Sequence, residues 1–171
     1  MRPLILILLA LTFNASAVSP LVESFDRMNA AFPDFVFVDP TGKESRLSDY
    51  QGKVVVVKLW ATWCGVCRAK WPKHQALYDT IKAETDVQLI TLSVFEDPQV
   101  SQNWVDNQGF DVPLFKNMIS DRGAVPVADG SYYFIKGTPM TFLIDKNGIL
   151  RKKAVGAAAG SITESDIRGL I

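Results

Sequence analysis

The stretch VVVVKLWATWCGVC, residues 54–67, runs from a β-branched apolar segment directly into both cysteines of the chain. Residues 54–60 are almost continuously apolar, interrupted only by Lys58. That pattern predicts a central strand buried on both faces, not one alternating between core and solvent. Past the cysteines, Leu77, Tyr78 and Ile81 recur at helical spacing, which predicts a helix from near the cysteines to about residue 83. Pro72 lies inside it and is expected to kink it, because it removes a backbone bond and clashes with the preceding turn. Cys64 and Cys67 therefore stand at a strand–helix junction.

Working outward, residues 35–38 read as a strand and Asp39-Pro40-Thr41-Gly42 as a turn, with proline at its second position. A second short strand near 44–47 completes a hairpin. Beyond the helix, residues 87–95 (VQLITLSVF) are another buried strand. Asp97-Pro98 has the form of an N-cap followed by proline at the first helical position. In the helix that follows, Val100, Trp104 and Val105 are expected to face the core. Gly109 stands where that helix should stop. Residues 116–137 read as irregular, with Gly123 and Pro126 against a long helix. MTFLID, residues 140–145, is a strand. Asp145-Lys146-Asn147-Gly148 is its hairpin turn and residues 149–155 the return strand. Ser161-Ile162-Thr163-Glu164 resembles a capping box opening a last short helix. The order, a hairpin followed by strands alternating with helices and a final hairpin and helix, predicts an α/β domain with a mixed sheet.

Length and composition narrow the function. The 171 residues suit one domain with a sizeable core. Formal charge is zero, hydrophobic content is 48%, and no basic run is present, so nothing points to nucleic acid. Residues 1–17 read as a secretory signal. Arg2 supplies the positive start, residues 3–13 the apolar stretch, and Ala15-Ser16-Ala17 a small-x-small cleavage site. Eleven apolar residues fall short of the roughly 20 that span a bilayer. Cleavage after Ala17 leaves a formal charge of −1. Residues 18–32 form a lead-in, with Leu21, Phe25 and Met28 at helical spacing, and residues 33–171 form the domain.

The two cysteines could hold a metal, staple a loop or shuttle electrons. Export to an oxidising compartment permits a disulfide. A staple gains from closing a long loop, and a Cys64–Cys67 bridge closes almost nothing. A structural zinc site wants four ligands. The single histidine, His74, lies about 10 Å further along the predicted helix. It cannot share an ion with the pair and is expected to be an ordinary surface residue; only carboxylates could complete such a site. Electron transfer fits the placement. The Cys64 sulfur would meet the unpaired N–H groups and positive end of the helix. That favours thiolate by up to about 2 kcal/mol, enough to bring a thiol from about 8.5 to about 7. Cys67, one turn later, is expected to be more buried and positioned to attack a mixed disulfide at Cys64, the more exposed of the two.

WATWCGVC, the helix proline Pro72 and GTPMTFLID together resemble the thioredoxin superfamily. The hairpin ahead of GKVVVVKLWATWC and the export signal resemble its TlpA/ResA-type periplasmic thiol–disulfide oxidoreductases. The resemblance implies a thioredoxin-like fold, a mixed central sheet flanked by helices with an added N-terminal β-hairpin. It implies Cys64 as the attacking thiol and Cys67 as the resolving thiol, joined as a disulfide when oxidised. Trp63 would border the site. Thr138-Pro139 would be a cis-proline loop whose backbone pairs with an extended substrate through Thr138, because proline lacks an N–H. Protein thiols and disulfides would be the partners, a membrane electron donor would recharge the enzyme, and no cofactor or metal is implied. A monomer is expected.

Three departures bear on redox tuning. Lys58 stands where thioredoxins usually carry a buried acid. Lys70 stands where ResA-like members carry a glutamate three residues past the second cysteine. The inner dipeptide is Gly65-Val66, with neither proline nor histidine. These changes remove an acidic proton acceptor and add positive charge near the thiols. Lys58 either brings its ammonium close to them or snorkels to solvent from a sheet edge. Lys70 is expected to be more exposed. The other function classes are a peroxiredoxin-like peroxidase, whose PxxxTxxC setting is absent, and a metal or haem-maturation chaperone, whose CxxxC with a distal histidine is also absent.

Overall fold

The computed structural model describes residues 27–119 and 123–171. The expectations for residues 1–17, Leu21 and Phe25 lie outside them. β1 (Val36–Val38) and β2 (Glu44–Arg46) form the anticipated hairpin. Asp39 closes it by accepting from the N–H groups of Thr41 and Lys43, and Gly42 takes a φ of 89° that suits glycine. A 3-10 turn (Leu47–Tyr50) leads into β3 (Val54–Trp60), whose seven residues are all buried. Then come α1 (Gly65–Ile81), β4 (Val87–Ser93) and α2 (Pro98–Asn107). Asp97 caps α2 as its sequence predicts, accepting from Gln99 N–H at 2.8 Å.

Residues 116–137 depart from expectation. They contain the end of β5 (Leu114–Asn117) and a two-stranded hairpin, β6 (Ala124–Pro126) with β7 (Tyr132–Phe134). These strands are three or four residues long, too short for a legible alternation. β8 (Met140–Ile144) and β9 (Leu150–Val155) follow, then a 3-10 turn (Gly156–Gly160) and α3 (Glu164–Arg168). The cap of α3 is Thr163, not Ser161. Asp166, rather than Glu164, completes the box, because a second 3-10 turn occupies the chain up to Gly160.

One seven-stranded sheet runs β2-β1-β5-β4-β3-β8-β9. β3, β4 and β5 are mutually parallel, and β8, β9, β1 and β2 are antiparallel to their neighbours. Alternation along β3 divides the core. Val55, Val57 and Leu59 pack with Phe35, Phe37, Phe142 and the β6–β7 hairpin's Val125 and Tyr133. Val54, Val56 and Trp60 pack with Cys67, Trp71 and Ile81 of α1, Val105 of α2 and Ile167 of α3. Val100 does not join them; it is 50% exposed, one turn earlier on the outer side of α2. Residues 29–32 lie against β9, with Asn29 N–H donating to the Leu150 carbonyl and the Phe32 ring in the core.

The β6–β7 hairpin is locked onto the sheet's end at Gly123. Its φ is 57°, and a Cβ there would overlap the Phe95 ring. Gly123→Ala is expected to lower stability by about 1–3 kcal/mol, through the left-handed backbone and the forced displacement of Phe95. A urea-denaturation midpoint unchanged from wild type would contradict this packing.

Candidate active site

Because β3 is hydrogen-bonded on both sides, its carboxyl end has a defined position. Ala61, Thr62 and Trp63 carry the chain from there to Cys64, the N-cap of α1. The Cys64 sulfur accepts from Cys67 N–H at 3.1 Å, so the sulfur itself does the capping. Cys64 and Cys67 form a disulfide with Cα atoms 5.2 Å apart. Cys67 is fully buried. Cys64 retains 7% exposure and is thus less open than expected, though still the outer of the pair. Around it the surface is apolar: Trp63 is 61% exposed and Val66 is also exposed, with Gly65 between Val66 and Cys64. The Thr138–Pro139 bond is cis, as the resemblance implies. The Pro139 carbonyl already accepts from Gly156 N–H at 2.8 Å.

Two groups escaped the sequence reading. The Glu96 carboxylate accepts from Thr62 N–H at 2.9 and 3.1 Å, from the Thr62 hydroxyl at 2.6 Å and from the Ser101 hydroxyl at 2.6 Å. It ties the turn before Cys64 to the start of α2. Phe95, just before it, adopts a φ of 64° and sets its ring edge-to-face on Trp63, centroids 6.0 Å apart. The available signal was topological. In a parallel pair, residues just past β4 lie beside those just past β3.

Lys58 is not at an edge. It sits in the middle of β3, opposite Thr91 of β4 and Thr141 of β8, and is 3% exposed. Its Nζ lies 4.9 Å from the centre of the Trp71 ring, one helical turn beyond Cys67. Burial pulls its pKa down from 10.5 to about 7. His74 is likewise no surface residue: it is buried, with Nε2 2.8 Å from the Thr91 hydroxyl. Burial, with the Lys58 charge added, holds it well below the usual histidine range and so neutral. Lys70 is half-buried, its stem packed over Gly160.

A buried strand delivering a two-cysteine disulfide to a helix N-terminus, with a cis-proline leading into the neighbouring strand β8, defines a thioredoxin-like thiol–disulfide oxidoreductase. Residues 28–153 match the AhpC/TSA family model. Thiol-disulfide oxidoreductase ResA of Geobacillus thermodenitrificans is 32% identical over 170 residues, covering 98% of this chain and 91% of that protein. ResA of Bacillus subtilis is 31% identical over 135 residues, 79% of this chain and 69% of that one. Among solved structures, a thioredoxin-family thiol:disulfide interchange protein from Chlorobium tepidum shares the fold. Its TM-score is 0.62 at 23% identity, over 85% of this chain and 98% of that one. The chain belongs to the AhpC/TSA family, as a TlpA/ResA-like thiol–disulfide oxidoreductase of the thioredoxin superfamily.

The depressed Lys58 pKa has a stability consequence. Between pH 7 and 10.5 the unfolded chain holds a proton at Lys58 that the folded chain releases, so stability rises with pH across that window. Lys58→Met removes this linkage. It is expected to stabilise the protein by about 4 kcal/mol at or below pH 7, an advantage that fades towards pH 10.5. Urea midpoints of both proteins from pH 6 to 10 test it; a constant difference between them would contradict it.

Proposed function

We propose that this oxidoreductase works outside the cytoplasm as a reductase of disulfides in protein substrates. The placement of the cysteines carries the reading: Cys64 caps α1 as the outer, slightly exposed thiol and Cys67 lies one turn behind it, fully buried. In the reduced protein the Cys64 thiolate attacks a substrate disulfide. A Cys64–substrate bond forms and one substrate thiolate leaves. Cys67 then gives up its proton and attacks the Cys64 sulfur. The second substrate thiolate leaves, the Cys64–Cys67 disulfide closes, and two electrons have passed to the substrate. A dithiol donor at the membrane reverses these steps on the enzyme.

Trp63 and Val66 supply an apolar rim for the substrate segment. With the Pro139 carbonyl engaged by Gly156, main-chain bonds to that segment fall to Thr138. Lys58, on the same face of β3 as Trp60, is the tuning group inside the fold, and Lys70 is its more exposed companion. A protonated Lys58 favours thiolate and hence the reduced form, which raises the potential and opposes the reductase direction; the effect fades as Lys58 loses its charge above pH 7. The named activity of the ResA relatives, thiol-disulfide oxidoreductase, supports the disulfide exchange in this reading.

Cys64→Ser is expected to abolish disulfide exchange. Cys67→Ser should retain the first step only and accumulate mixed disulfides, visible as thiol-sensitive adducts on non-reducing gels. Full turnover by Cys67→Ser would exclude the two-thiol cycle.

Residues 1–17 support export. Mass spectrometry of the protein expressed with its own N-terminus is expected to find a chain beginning at Val18. A membrane-bound chain retaining Met1 would instead mean an anchor.

A further inference from the structure

Beneath α1, on the helix-covered face of the sheet, a polar row crosses three strands. Thr91, Lys58 and Thr141 are direct neighbours in register on β4, β3 and β8. Both threonines are committed: Thr91 to the His74 ring at 2.8 Å, and Thr141 to the Ala159 carbonyl, to which it donates at 2.8 Å. The Lys58 side chain, between them, makes no hydrogen bond or ion pair with any described residue; the Trp71 ring and the neutral His74 ring are what its charge meets. A lysine that is 97% buried as a residue and has no side-chain acceptor is a costly arrangement.

Lys58 lines a cleft of about 30 Å³ between α1 and the 3-10 turn Gly156–Gly160. Lys70 and Lys73 of α1 line it too, with His74, Thr141 and Gly160. No aspartate or glutamate does, from α1, β3, β8, the 3-10 turn or Ile162 ahead of α3. The cleft is therefore walled by three lysines and a neutral histidine. A water-sized particle needs about 10–15 Å³, so the space admits one. We propose that this cleft is a binding site for one small monovalent anion of chloride size, held by Lys58 at its floor and by Lys70 and Lys73 above. The site is separate from the dithiol and does not depend on the proposed direction of electron flow.

The anion is expected to bind the protonated form of Lys58. With the Lys58 pKa near 7, affinity should fall about tenfold per pH unit above neutrality. Solvated surface lysines keep their charge in that range, so attraction by them alone would give no such slope. The test is a chloride titration of the full chain at constant ionic strength, balanced with gluconate, which is too large for the cleft. Chloride NMR linewidth and melting temperature are read at pH 6, 7, 8 and 9. Saturable broadening and stabilisation at pH 6, fading above pH 7, are expected. Lys58→Met should abolish both, and Lys70→Gln should weaken affinity several-fold. No saturable broadening, or equal broadening in wild type and Lys58→Met, would overturn the proposal. If Lys58→Met does not fold, the wild-type pH slope decides: its absence overturns the site.

Discussion

Full burial of β3 is the constraint on which the rest of the molecule depends. Hydrogen bonds on both edges and packing on both faces leave this strand no freedom of register or tilt. Each buried valine, leucine or tryptophan in it contributes about 1.5–3 kcal/mol, so the strand is the sheet's anchor. Its carboxyl end is then a fixed point, and α1 starts five residues beyond it. Cys64 falls where the strand has ended and the helix has not begun, with its sulfur facing the first free N–H groups of α1. The chemistry of the dithiol follows from that position. The helix end stabilises a Cys64 thiolate, and the helical turn places Cys67 behind it in the core.

The same fixed point organises the surroundings. Because β3 and β4 are parallel, their carboxyl ends emerge side by side. Glu96 and Phe95 therefore stand next to Thr62 and Trp63 despite more than thirty residues of separation. The left-handed turn at Phe95 sends its ring one way, to Trp63 and Gly123, and aims Glu96 the other way, at Thr62. One carboxylate with four hydrogen bonds thus holds the turn before Cys64 against α2. The β6–β7 hairpin, docked through Gly123, leads directly into the Thr138–Pro139 loop.

Elements whose pattern follows from burial alone could be read from the sequence. β3, β4 and β8 are long or strongly apolar, and α2 carries an N-cap with proline at its first position. The hairpins around Gly42 and Gly148 have their turn residues. The β6–β7 hairpin could not be read, because each strand is three residues long and its partners are set by tertiary contact. Val100 lies in the exposed first turn of α2 and the α3 cap lies two residues past Ser161, differences on the scale at which helix ends and local turns are underdetermined. The sequence places His74 outside because a lone polar residue on a helix ordinarily faces water. Its partner, Thr91, lies on a strand 17 residues away, and no local signal marks the pair. The cysteines, Trp63 and the Thr138-Pro139 loop were legible through their motifs; Glu96 belongs to none.

Lys58 and His74 show how one environment acts differently on two basic groups. Both face the layer between β3 and α1. Histidine loses little by becoming neutral, since its ordinary pKa is already near 6.5 and the Thr91 hydroxyl satisfies its ring nitrogen. Lysine must give up more than three pKa units to reach the same state, and it retains charge near pH 7. An acid at this position would become neutral by gaining a proton; a lysine becomes neutral by losing one. The charge at the core of this protein therefore appears as pH falls, where an acid's would disappear. It also appears as a cation, on the helix face that holds Cys67. Any effect of Lys58 on the dithiol thus has the opposite sign and the opposite pH dependence to that of a buried acid, whereas the helix end at Cys64 acts at every pH.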